Sequence, residues 1–189
     1  DDMPFKGLTW NDVICGASIS SLERSSGWQV SLEVSESMVL HRVMGNLCTQ
    51  NAVISALERA SRWQDAVVSF FHVRSPDEVS FGACINAYSK GSRWRDALGL
   101  LDRMPELSIV PNTVIYNAAL DACSSGGIHV MLLFMQAICQ EADTVTYNIL
   151  INACSIEGEW QLAQHFLQQL LENDSTDAIS FNSAISACE

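Results

Sequence analysis

"TVIYNAALDACS" (Thr113–Ser124) and "TVTYNILINACS" (Thr144–Ser155) stand 31 residues apart and are nearly the same phrase. A phrase that returns at a fixed distance marks a repeat array, so the fold depends on how far the repetition extends. With Tyr116 and Tyr147 as markers, the pattern recurs at Phe81 in "EVSFGACINAYS" and at Phe181 in "AISFNSAISAC". It recurs more weakly at Gln50 in "LCTQNAVISALE" and at Cys15 in "DVICGASISSLE". The markers 15, 50, 81, 116, 147 and 181 are separated by 35, 31, 35, 31 and 34 residues. A second marker follows 13 residues later in five copies, at Trp28, Trp63, Trp94, His129 and Trp160.

Each copy reads as two helices. After the first marker comes an aliphatic column, Ile19, Ile54, Ile85, Leu120, Ile151 and Ile185. Two residues on stands a small column, Ser21, Ala56, Ala87, Ala122, Ala153 and Ala187, which would let neighbouring helices approach closely. Glycine then punctuates, at Gly27, Gly91, Gly126, Gly127 and Gly158. The second helix opens near the tryptophan column, with apolar residues at helical spacing such as Trp94, Leu98 and Leu101. Asn46, Asp77, Asn112, Asp143 and Asp177 close the copies and suit the capping of the next first helix. No segment alternates as a strand does.

One helical hairpin cannot bury its own apolar face, but a stack of them can. The expected fold is therefore all-α, an α-solenoid of stacked helix-turn-helix repeats. Its organisation is an N-terminal extension at 1–11, repeats at 12–46, 47–77, 78–112, 113–143 and 144–177, and a partial sixth repeat at 178–189. The chain does not open on Met and closes inside an element, which predicts a piece of a longer protein. The tryptophan column is expected in the core, as aromatic stripes at helical spacing usually are.

Composition narrows the function. The chain is 48% hydrophobic and 17% charged, enough to bury a core. No run approaches the roughly 18 apolar residues of a membrane span, and no direct membrane insertion is expected. Seven cysteines stand without a Cys-x-x-Cys pair, and the four histidines are scattered. No metal site or cofactor is expected, and Cys123, Cys154 and Cys188 hold one repeated position that suits small buried residues. No nucleophile–base pair or phosphate loop is present, so the chain is read as non-catalytic.

The "TYN" before the aliphatic column, the Pro-Asp or Pro-Asn ending and the varying length resemble pentatricopeptide repeats. The resemblance covers residues 12 to 189 and is weaker in the first two copies, where Cys15 and Gln50 replace the aromatic marker. It implies a right-handed superhelix with the first helices on the concave face. It also implies single-stranded RNA recognition, one base per repeat, in a mitochondrion or chloroplast. The residue after the aromatic marker and the residue that closes the repeat would select the base. Those pairs are Gly16 with Asn46, Asn51 with Asp77, Gly82 with Asn112, Asn117 with Asp143, and Asn148 with Asp177, while Asn182 begins a sixth. Asn with Asp resembles the family's uracil pair. Gly with Asn departs from the usual pairs, and adenine is suggested by its likeness to Ser or Thr with Asn. Val13, Cys48, Val79, Val114, Val145 and Ile179 would sandwich the bases, and Arg24, Arg59 and Lys90 would face the phosphates.

The charge pattern pulls against RNA. The net charge is −12, whereas phosphate binding needs Lys and Arg. Residues 1–103 carry all ten basic residues beside twelve acidic ones, a balance of −2. Residues 104–189 carry ten acidic residues and no basic one, a balance of −10. Where the first copies place Arg24, Arg59 and Lys90, the later ones have Ser125 and Ile156. The alternative is therefore a protein–protein scaffold subunit of an organellar complex that docks its acidic half on a basic protein surface. The closing Asn and Asp residues would cap helices in either case, and the Asn after the aromatic marker could hydrogen-bond locally between repeats.

Overall fold

The computed structural model describes residues 47–138, 142–172 and 176–188. The first copy (12–46), with Val13, Gly16, Arg24, Trp28 and Asn46, lies outside the described residues. Nine α-helices and no strand occur among those described. In chain order they are α1 (Leu47–Arg59), α2 (Trp63–Phe71), α3 (Glu78–Lys90), α4 (Trp94–Arg103), α5 (Thr113–Cys123), α6 (Ile128–Ile138), α7 (Thr144–Glu157), α8 (Trp160–Glu172) and α9 (Ala178–Ser186). The class is all-α, an α-solenoid of helical hairpins. The chain divides into two compact units, Asp1–Ala87 and Tyr88–Glu189, with the division inside α3.

In the first unit, α1 and α2 form one hairpin and the start of α3 packs on it. The aliphatic and small columns are core: Ile54, Ile85 and Ala87 are fully buried and Ala56 nearly so. Phe70 of α2 meets the marker Phe81 of α3 edge to face, with ring centroids 5.1 Å apart, an orientation favoured by the ring quadrupoles. In the second unit, Leu120, Cys123, Ile128, Met131, Leu150, Ile151, Cys154, Phe166 and Leu170 form one continuous cluster. Within this unit, Ile128 N–H, which has no intrahelical partner at the start of α6, donates to Glu157 Oε1 at 2.8 Å, so α7 supplies the cap for α6.

Three expectations need correction. The tryptophan column is not core. Trp63 and Trp94 are half-buried, His129 is exposed, and Trp160 is 49% exposed. These residues open the second helices, and the Trp94 ring lies over the turn at Gly126. A Cβ added to Gly126 would come within 2.9 Å of the Trp94 ring. The buried position lies three residues further on, at Ala66, Ala97 and Ala163. Small residues there allow close helix contact.

At the last copy the small column holds, with Ala187 buried, but the cysteine and aliphatic positions depart. Cys123 and Cys154 are buried, but Cys188 is exposed, and Ile185 is 60% exposed although its counterparts are buried. Among the described residues no second helix follows α9 to cover them. All five described cysteines are free. Burial pushes the thiols of Cys84 to about 12 and of Cys123 to about 11; burial, with Glu157 and Glu159, pushes Cys154 to about 11.

The third correction concerns punctuation. The left-handed turn residue lies eleven positions after the first marker, at Ser61, Ser92, Gly127 and Gly158, with φ of 58°, 55°, 90° and 74°. Two copies place serine where glycine would be unstrained.

Candidate functional site

The expected pair residues meet in space. Asn51 of α1 donates through Nδ2 to Oδ1 of Asp77 at 3.0 Å. The pair is joined by a residue that the repeat reading did not single out. Ser80 is the third residue of α3 and fully buried. Its hydroxyl donates to Asn51 Oδ1 at 2.6 Å and lies 2.8 Å from Asp77 Oδ1. Asp77 accepts from the Ser80 backbone N–H at 2.9 Å, and Asp77 N–H donates to the Ser80 hydroxyl at 3.2 Å.

The same constellation returns twice in the second unit. Asn117 donates to Asp143 Oδ1 at 3.1 Å, and the Thr146 hydroxyl donates to Asn117 Oδ1 at 2.6 Å. Asn148 donates to Asp177 at 3.3 Å, and the Ser180 hydroxyl donates to Asn148 Oδ1 at 2.6 Å. Each Asp is the N-cap of the following helix, and each Ser or Thr completes a capping box. The local signal was present in the sequence as Asp-x-x-Ser and Asp-x-x-Thr. Its link to an asparagine 29 or 32 residues away was not.

The hydrogen bonds set the charge. Burial raises the Asp77 carboxyl, but donation from the Ser80 N–H, Asn51 and the Ser80 hydroxyl outweighs it and holds the group below its ordinary value. Burial likewise opposes the Thr146 and Asn117 donors at Asp143, and again the donors win. Asp177 is lowered by the Ser180 hydroxyl and then by the Ser180 N–H. All three carboxylates are therefore ionised at neutral pH.

Copy 3 differs. Gly82 offers no side chain, and Asn112 caps α5 by accepting from Ile115 N–H at 3.0 Å. The third helix residue here is the buried, apolar Ile115, so no hydroxyl can act as a link.

Beside these caps stand exposed apolar side chains. Val79, Val114, Val145 and Ile179 are 53–71% exposed in the first turns of their helices, where apolar residues gain nothing from the fold. Cys48 is exposed at the start of α1, and Asn182 is exposed on α9. Arg59 and Lys90 are exposed in the last turns of α1 and α3. Val13, Gly16, Arg24 and Asn46 lie outside the described residues. An amide donor, a carboxylate and a neighbouring apolar surface together suit a flat heterocycle with polar edges. Among the described residues no group of three or more His, Cys, Asp or Glu could hold a metal ion, and no helix is long and apolar enough to cross a membrane.

A family model described as "PPR repeat" matches residues 79–109 and 145–175. Among solved structures, the pentatricopeptide repeat protein PPR10 from maize is 15% identical, with a TM-score of 0.67 over 95% of this chain and 27% of that one. PPR10 in complex with an 18-nt psaJ RNA element is 21% identical, with a TM-score of 0.67 over 90% of this chain and 26% of that one. The chain thus spans 26–27% of the length of these solved chains, and the likeness is one of fold. No curated protein matches the sequence.

Proposed function

We propose, for a chain that belongs to the pentatricopeptide-repeat proteins, that it is a non-catalytic binder of single-stranded RNA, one base to each repeat. The observation that carries this is the recurrence of one arrangement in three copies: Asn51 with Asp77, Asn117 with Asp143, and Asn148 with Asp177, each beside an exposed Val or Ile. Helix capping alone accounts for the aspartates. It does not account for the asparagines that reach them, nor for the exposed apolar residue beside each. Uracil is the base proposed for these three copies, and adenine for Gly82 with Asn112. Val79, Val114, Val145 and Ile179, with Cys48 and Val13, would lie against base faces. Arg24, Arg59 and Lys90 would neutralise phosphates. Residence in a mitochondrion or chloroplast goes with this reading.

A second reading is favoured by one observation. Residues 104–189 hold ten acidic residues and no Lys or Arg, and Ile156 is exposed where earlier copies carry a base. This half would then dock on a Lys/Arg-rich protein surface. Titration of single-stranded RNA at several salt concentrations separates the two. RNA binding predicts weak affinity that falls with salt. Replacing Arg24, Arg59 and Lys90 by Ala should weaken all sequences alike and lower the salt slope by up to about three units. Absence of binding even at low salt removes the RNA reading. Charge reversal in 104–189 that releases a basic protein partner would then support the scaffold reading.

A further inference from the structure

We infer that the outward face of α6 and α8 is a self-association surface, on which a second copy of this chain docks about a two-fold axis. The inference goes beyond both functional readings, since the Asn–Asp pairs lie on the first helices and their caps.

A solvent-facing helix normally carries charge on the side turned from the core. α4 does so, with Arg95, Asp102 and Arg103 exposed. α6 carries no Asp, Glu, Lys or Arg along its length, and α8 carries only Glu172, its last residue. Both helices pack on α7 and bury their inner sides in one cluster, through Met131 on α6 and through Ala163, Phe166 and Leu170 on α8. Their exposed sides hold Leu133 and Gln136 on α6, and Trp160, Gln164, Gln168 and Leu171 on α8. A helix without charge all round belongs in an interior, yet α6 leaves Leu133 67% exposed. This neutral face stands within residues 104–189, whose balance is −10. Absence of charge with aromatic and aliphatic groups retained is the composition of an interface centre.

Charge decides the occupant. A Lys/Arg-rich partner finds no carboxylate to pair with on this face and is drawn to the acidic positions outside it. A second copy meets the opposite condition. Two chains of −12 repel where their acidic positions meet, and least where neither carries a charge. A two-fold contact must also complement itself. A face of one sign cannot, but the amides of Gln136, Gln164 and Gln168 both donate and accept. Glu159 and Glu172, at the two ends of α8, form a like-charged rim. The contact is small, since α6 and α8 have 11 and 13 residues. Helices about 16–20 Å long and about 10 Å apart offer about 400 Å² per copy, half of a standard interface. The dimer is therefore weak and reversible.

The test is sedimentation velocity of the 189-residue chain without RNA, at concentrations up to about 100 μM and at about 0.01 M and about 0.15 M salt. Wild type should pass from monomer to dimer with rising concentration, and more readily at the higher salt, where the rim and the remaining acidic surface are screened. Leu133→Asp sets a like charge in the contact and should raise the dissociation constant at least about tenfold. Gln164→Glu, an isosteric change of an exposed amide, should act in the same direction, and it decides the matter if Leu133→Asp fails to fold. Val110→Asp, at a residue 81% exposed outside the face, should dimerise as wild type does. A wild-type chain that stays monomeric throughout overturns the inference. So does association that weakens with salt, which is the mark of Lys or Arg on one copy meeting carboxylates on the other. Dimerisation undisturbed in both face variants, or lost equally in Val110→Asp, overturns it too, because the contact then lies elsewhere.

Discussion

Asp77, Asp143 and Asp177 each accept a backbone N–H and two side-chain donors, and these contacts have a consequence for stability in acid. Their folded pKa values lie below the ordinary carboxylate value. A depressed folded pKa contributes stability that is fully present above the unfolded value, near 3.9, and is lost as pH falls through the folded value. Resistance to urea should therefore be flat near neutrality and decline below about pH 4. Asp143→Asn should be less stable than wild type at pH 7, and the gap should narrow on going to pH 3. Equilibrium unfolding at a series of pH values measures this. A constant gap would mean that the carboxylate charge of Asp143 is not what its neighbours stabilise.

Within elements, two glycines of unequal surroundings test the packing. Gly99 lies exposed in the middle of α4, and a Cβ there would meet nothing within 4 Å. Gly99→Ala should stabilise by about 0.5–1 kcal/mol, since glycine loses more chain entropy in a helix than alanine does. A Cβ at Gly126 would stand 2.9 Å from the rigid ring of Trp94. Gly126→Ala should instead destabilise by about 1–3 kcal/mol, the usual range for overpacking. Thermal and urea unfolding of the two variants should shift in opposite directions. A neutral Gly126→Ala would show that Trp94 can move off this turn freely, and that its contact is not part of the packing.

At the scale of the whole molecule, charge is the dominant feature. The chain carries −12, of which −10 falls in residues 104–189 with no positive residue to offset it. Like charges repel in the compact state, and salt screens them by shortening the Debye length from about 30 Å at 0.01 M to about 8 Å at 0.15 M. The melting temperature should therefore rise over this range by a few degrees. RNA affinity, driven by counterion release, should fall over the same range. The opposite signs allow the two effects to be separated in one salt series, by differential scanning fluorimetry beside RNA titration. A melting temperature that falls with salt would indicate that attractive pairs such as Arg93 with Asp96, at 2.7 Å, outweigh the repulsion.

The helical repeat was legible in the sequence because helix formation, capping and apolar periodicity act over three to seven residues, and the copies restate them. Asp143 and Asp177 could be recognised as caps for that reason, and Ile54, Ile85, Leu120 and Ile151 as core. Burial is a different kind of property, since it depends on what a neighbouring element covers. Trp94 and Trp160 share a sequence position, yet one rests on Gly126 and the other stands half in solvent. Ile185 shares a column with Ile151, yet no described helix lies over it. The pairing of Asn117 with Asp143 was suggested by family resemblance alone, and the hydroxyl of Thr146 that lies within hydrogen-bond distance of both was not suggested at all. Tertiary structure decided that geometry, because a hydrogen bond between residues 29 apart exists only once two helices have packed side by side.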